Sequence, residues 1–138
     1  MSDKFFLDTN ILIYAFTEQD VRKKARSWEL HELALNGQGV ISFQVVQEFL
    51  NAAQKKFPTR FTDAHLREFL ENELWPLCSV FPSQQLYQQA LTVRSETGFS
   101  FYDSLIVAAA LAGGCQTLYS EDLHSGQKIH GLEIKNPF

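Results

Sequence analysis

Residues 4–14 read KFFLDTNILIY, and the fold turns on how this stretch is read. Phe5, Phe6 and Leu7 form a short apolar run, the pattern of a buried strand. Ile11, Leu12, Ile13 and Tyr14 resume the apolar pattern as a helix. Between them stand Asp8, Thr9 and Asn10, three residue types that can satisfy the free N–H groups of a first helical turn. One cap would suffice. Thr9 or Asn10 can provide it, which leaves Asp8 free at the carboxyl end of the strand; capping by Asp8 itself is the competing role.

The same alternation continues along the chain. GVIS (39–42), PLCSVF (76–81), CQTLYS (115–120) and LEIKN (132–136) read as further strands. Helical patterns fill the intervals. Val21, Ala25, Trp28 and Leu35 recur at near-helical spacing before Gly37 and Gly39. Phe43, Val46, Leu50 and Ala53 do so after a capping Ser42, and Thr62 caps the next helix, which ends before Pro76. Leu86, Ala90 and Val93 share a face that stops at Gly98. SFYDSLIVAAALAGG (100–114) is apolar almost all round, as expected of a helix buried between other elements. Strands alternating with helices imply βαβ units and a mostly parallel sheet of four to five strands. Ligands of such sheets bind beyond the carboxyl ends of the strands.

Composition sets the outer bounds. With 138 residues, 45% hydrophobic and 20% charged, the chain suits one globular domain spanning residues 1–138. No apolar run approaches the roughly 20 residues that span a bilayer. The start MSDKFFLDTN lacks the basic and small-residue pattern of a signal peptide, so a soluble cytoplasmic protein without a membrane partner is expected. Cys78 and Cys115 make no metal-ligand pattern and read as buried thiols. Twelve Lys and Arg against sixteen Asp and Glu give a net charge of −4, unlike the basic balance usual for nucleic-acid binders.

Four acids fall at or just after the carboxyl edge of the expected sheet. Asp8 follows the first strand. Glu48 lies in the early turns of the helix after the second, on a face with Gln44, Asn51 and Lys55. Asp103 opens the apolar helix, where Ser100 and Asp103 also fit a capping box. Asp122, with Glu121 beside it, follows the strand ending at Ser120. Each alone has a structural alternative as a cap or a solvated surface group. Together they would repel one another in one cleft, unless a cation shares it. Hard carboxylate oxygens suit Mg²⁺ or Mn²⁺, and such ions can activate water and stabilise charge on a phosphodiester.

Other chemistries find little support. There is no phosphate-loop or dinucleotide glycine motif, no H-E-x-x-H zinc spacing among His31, His65, His124 and His130, and no nucleophile elbow around Ser42, Ser100 or Ser120. His31 and His65 are expected on solvent-facing parts of helices. Two basic clusters, Arg22, Lys23, Lys24 and Arg26, and Lys55, Lys56 and Arg60, read first as solvated helix faces and second as a rim for phosphates.

FLDTNILIY, QVVQEFLN, FYDSLIVAAA and LYSEDL, in this order and at this spacing, resemble the PIN-domain nucleases, and within them the VapC-type toxins of prokaryotic toxin–antitoxin pairs. The resemblance implies a three-layer α/β/α sandwich and a Mg²⁺- or Mn²⁺-dependent endoribonuclease. It matches Asp8, Glu48, Asp103 and Asp122 to the family's metal-binding acids, with Glu121 as the alternative at the fourth position. Asn10 and Ser120 match supporting polar positions. It further implies an RNA substrate, a homodimer and a cognate antitoxin protein that blocks the cleft. Two other readings stay open from the residues alone. One is a phospho-signalling or phosphatase-like domain, which would want a second acid near Asp8. The other is a non-catalytic interaction module whose acids are only caps.

Overall fold

The computed structural model describes residues 3–138. Strand β1 (Phe5–Leu7) is fully buried and leads through Asp8 into α1 (Thr9–Tyr14). Helix α2 (Val21–Leu33) and a wider turn over Ala34–Gln38 lead to β2 (Gly39–Ser42). Gly39 is required there because a Cβ would overlap Ala34. Helix α3 (Phe43–Lys56) follows β2 without a loop. Then come α4 (Asp63–Phe69), two irregular turns to Leu77, β3 (Cys78–Val80), α5 (Gln84–Thr97), α6 (Phe101–Ala112), β4 (Thr117–Tyr119), β5 (Lys128–Ile129) and β6 (Leu132–Lys135).

The strands lie in the order β3-β2-β1-β4-β6-β5, with only the β5–β6 pair antiparallel. The chain steps outward from β1 to β2 to β3, then returns through α5 and α6 to β4 on the other side of β1. Right-handed crossovers in opposite directions place helices on opposite faces of the sheet, giving the expected three layers. The reversal also makes the crevice between β1 and β4 the topological switch point, where open α/β sheets bind ligands.

Six strands stand where four to five are expected. The extra one is β5, two residues long, joined to β6 by His130 and Gly131 with φ of 51° and 87°. Two successive positive φ values are the signature of a tight hairpin turn. The buried face of α2 also differs from the periodic reading. Val21 is 77% exposed and Leu35 41%, while Ser27, Leu30, His31 and Ala34 are buried. His31 is therefore not a surface residue. Its Nε2 lies 2.8 Å from Glu73 Oε2, and its ring packs beside Trp28 and Phe69. His65 is exposed as expected. Leu86, Ala90 and Val93 are buried, Gly98 takes a left-handed C-cap, and α6 is buried from Ser104 to Ala110. Both cysteines are free and buried, and burial pushes the Cys115 thiol up to about 11. Among the described residues no helix is long and apolar enough to cross a membrane.

Candidate active site

The register of β1 on β4 pairs Leu7 with Tyr119, which sets Asp8 beside Ser120 one residue past each strand. The ladder continues there, with Asp8 N–H donating to Tyr119 O at 3.0 Å. Asp8 is only 8% exposed. Contrary to the expectation that Thr9 or Asn10 would cap α1, Asp8 is itself the N-cap. Its Oδ1 accepts from Thr9 N–H at 2.8 Å and its Oδ2 accepts the Ser120 hydroxyl at 2.8 Å. Capping and membership of the site are thus not alternatives, because the carboxylate has lone pairs left after both bonds.

Thr9, freed from capping, donates its hydroxyl to Glu48 Oε1 at 2.6 Å. Gln44 Nε2 donates to Glu48 Oε2 at 3.2 Å. Glu48 is therefore held from both oxygens, between α1 and the turn of α3 before it. Asp103 occupies the first turn of α6, which Ser100 caps by accepting Asp103 N–H at 3.2 Å. Ser120 Oγ accepts the N–H groups of Asp122 and Leu123 at 3.2 and 3.4 Å while donating to Asp8. One buried hydroxyl thereby fixes both the loop that carries Asp122 and the carboxylate of Asp8. Asn10 Oδ1 accepts Glu121 N–H at 3.4 Å; its Nδ2 is buried without a protein partner.

Asp8, Glu48, Asp103 and Asp122 all line one cleft of about 710 Å³, together with Asn10, Tyr14, Gln44, Ala52, Lys56, Tyr102 and Glu121. Burial raises the Asp8 carboxyl to about 6; the Ser120 and Thr9 hydrogen bonds oppose that rise, and the charges of Glu48 and Asp122 add to it. Glu121 behaves oppositely. Lys23 and the Tyr14 hydroxyl both bind its carboxylate and hold it below the usual range. Its charge is already matched, so Asp122 is the acid of that loop left open to the cleft.

A model of the PIN domain matches residues 5–125. The chain belongs to the PIN domain family. The fold of this PIN domain is similar to that of a chain in a toxin–antitoxin complex from Klebsiella pneumoniae (TM-score 0.70, 21% identity, 98% of each chain covered). It is also similar to DNA-bound VapBC from Salmonella typhimurium (TM-score 0.68, 20% identity, 99% of this chain and 100% of that one). A third likeness is to VapC20 of Mycobacterium tuberculosis, a Sarcin-Ricin loop cleaving toxin (TM-score 0.61, 20% identity, 86% and 90%). No curated protein matches the sequence.

The donors of this PIN domain fit a hard divalent cation in kind. Carboxylates dominate, two of them oriented by hydroxyl or amide donors, and the most buried one is destabilised by the charges of two others. Among the described residues no three His, Cys, Asp or Glu side chains are already arranged to hold an ion.

Sequence reading missed four participants. Thr9 and Gln44 orient Glu48, while Tyr14 and Lys23 neutralise Glu121. Gln44 carried a signal, standing one helical turn before Glu48; the Lys23–Glu121 pair, 98 residues apart, carried none. The face of α3 also shifts: Ala52 and Lys56 line the cleft in place of Asn51 and Lys55.

Proposed function

We propose that this PIN domain, residues 1–138, is a Mg²⁺- or Mn²⁺-dependent endoribonuclease and the toxin component of a toxin–antitoxin pair. The observation that carries the reading is the convergence of Asp8, Glu48, Asp103 and Asp122 on one cleft at the switch point of the sheet, with Asp8 raised by burial and by its acidic neighbours. Asp8, Glu48, Asp103 and Asp122 would hold the cation. When bound, it would supply an activated water and neutralise charge on the scissile phosphate. Ser120 and Thr9 keep Asp8 and Glu48 in place. Asn10 ties α1 to the loop that carries Asp122 by accepting Glu121 N–H on its Oδ1. Likeness to toxin–antitoxin structures over nearly their whole length supports the toxin role and an antitoxin partner; a homodimer is part of the same proposal.

The phosphatase-like alternative wants a second acid two positions after its nucleophile, and Asn10 stands there, which speaks against it. The test is cleavage of structured RNA by the purified chain. Cutting should require Mg²⁺ or Mn²⁺, stop with a chelator, and be lost in Asp8→Ala and Asp103→Ala. Undiminished cutting in both variants would refute the site.

A further inference from the structure

The cleft has a direction, set by α3. Gln44, Glu48, Ala52 and Lys56 recur every four residues and all line it. From Gln44 to Lys56 this stripe runs roughly 18 Å at 1.5 Å per residue, room for several nucleotides and not for one phosphate alone. Glu48 marks the acidic centre. At the Gln44 end stands Tyr102, whose carbonyl accepts Gln44 Nε2 at 3.3 Å. At the other end is Lys56, exposed and outside every ion pair among the described residues.

Tyr102 is unusual among the cleft residues. Its backbone is tied down by Gln44, which also binds Glu48. The residue is 67% exposed, and its ring is supported edge-on by Phe101, with centroids 5.4 Å apart. An aromatic face fixed at its base and open to solvent beside an acidic centre is ready-made for stacking a nucleobase. Among the described residues, Lys56 supplies the one unpaired ammonium group in a lining whose other charged members are acids.

We infer that Tyr102 is a base platform for single-stranded RNA, stacking on a nucleotide next to the scissile phosphate, while Lys56 takes a phosphate further along the same strand. This rests on the nuclease reading and adds to it a binding register. The RNA lies along α3, and an unpaired base is required at one defined position relative to the cut. Stacking reads the face of a base more than its hydrogen-bonding edge, so the preference is for an unstacked nucleotide over a particular letter.

The experiment uses the full chain with Mn²⁺ and one short single-stranded RNA that the wild type cuts. Copies of that RNA each lack one base. Tyr102→Ala should raise KM about tenfold, and Tyr102→Phe, which keeps the ring, should restore it. One abasic position should raise KM by a similar factor for the wild type and not further for Tyr102→Ala. Lys56→Ala should raise KM and make cleavage less sensitive to salt. Mn²⁺ affinity by calorimetry and the Tm should match wild type in these variants, which separates loss of a contact from a damaged fold. Tyr102→Ala that matches wild type on every RNA would overturn the platform, leave the nuclease reading standing and return the ring to a protein partner. Failure of the wild type to cut any RNA with Mg²⁺ or Mn²⁺ would overturn both.

Discussion

Asp8 and Glu121 stand on neighbouring segments at the same edge of the sheet, yet their surroundings push them in opposite directions. Asp8 is buried among other acids and is raised to about 6, while Glu121 is bound by Lys23 and Tyr14 and held low. The difference separates two uses of a carboxylate. Glu121 is finished: its charge is matched and it fastens the loop after β4 to α1 and α2. Asp8 is unfinished: its two hydrogen bonds position it without offsetting the charges around it, and a cation would complete it.

The largest effect expected from this contrast is on RNA cleavage. Asp8→Asn removes a charge that the cation needs and should slow cleavage about a thousandfold, the equivalent of several kcal/mol of transition-state stabilisation. Glu121→Gln should slow it less than tenfold. Equal losses in single-turnover assays would erase the distinction between the two acids.

The next effect is on stability without metal. Because the folded-state pKa of Asp8 lies above its ordinary value of 3.8, the folded protein binds the proton more tightly than the unfolded chain. Near pH 3 both states are protonated and the group costs nothing. Between 3.8 and 6 the unfolded chain ionises while the folded one keeps its proton, so stability falls, and above 6 the loss levels off at about 3 kcal/mol. Asp8→Asn should therefore stabilise the metal-free protein at pH 7 by an amount of that order and leave it nearly unchanged at pH 3, as read by urea unfolding. Destabilisation at pH 7 would mean that the Ser120 and Thr9 hydrogen bonds outweigh the charge.

His31 sharpens the comparison from outside the site. It is 2% exposed, meets Glu73 and packs beside the rings of Trp28 and Phe69. His31→Ala should cost about 2–3 kcal/mol by leaving a cavity and an unmet partner, and should leave Mn²⁺ affinity at the wild-type value. The smallest effect belongs to Glu121→Gln, whose partner Lys23 sits at the surface; its Tm should stay close to wild type, since surface ion pairs contribute little.

The parallel sheet was legible because its strands are short apolar runs separated by amphipathic helices, and Asp8, Glu48, Asp103 and Asp122 were legible because each follows a strand end or opens a helix. What escaped depends on distant partners. His31 does not look like part of a buried face until Glu73 and the ring of Phe69, itself packed on Phe16 and Phe49, are placed against it. Strand β5 is two residues long, below the length at which alternation is visible, although His130-Gly131 carried the turn signal. The α3 face was read one residue off at its far end because successive steps of four drift around a helix of 3.6 residues per turn, and only packing decides which side of the drift meets the cleft.

The central claim is that the four acids form a divalent-cation site in which Asp8 takes part and Glu121 does not. Calorimetric titration of the full chain with Mn²⁺ tests it most directly. The predicted result is binding by wild type and by Glu121→Gln that disappears in Asp8→Asn and in Asp103→Asn. Binding of undiminished affinity in both aspartate variants, or none by the wild type, would contradict it.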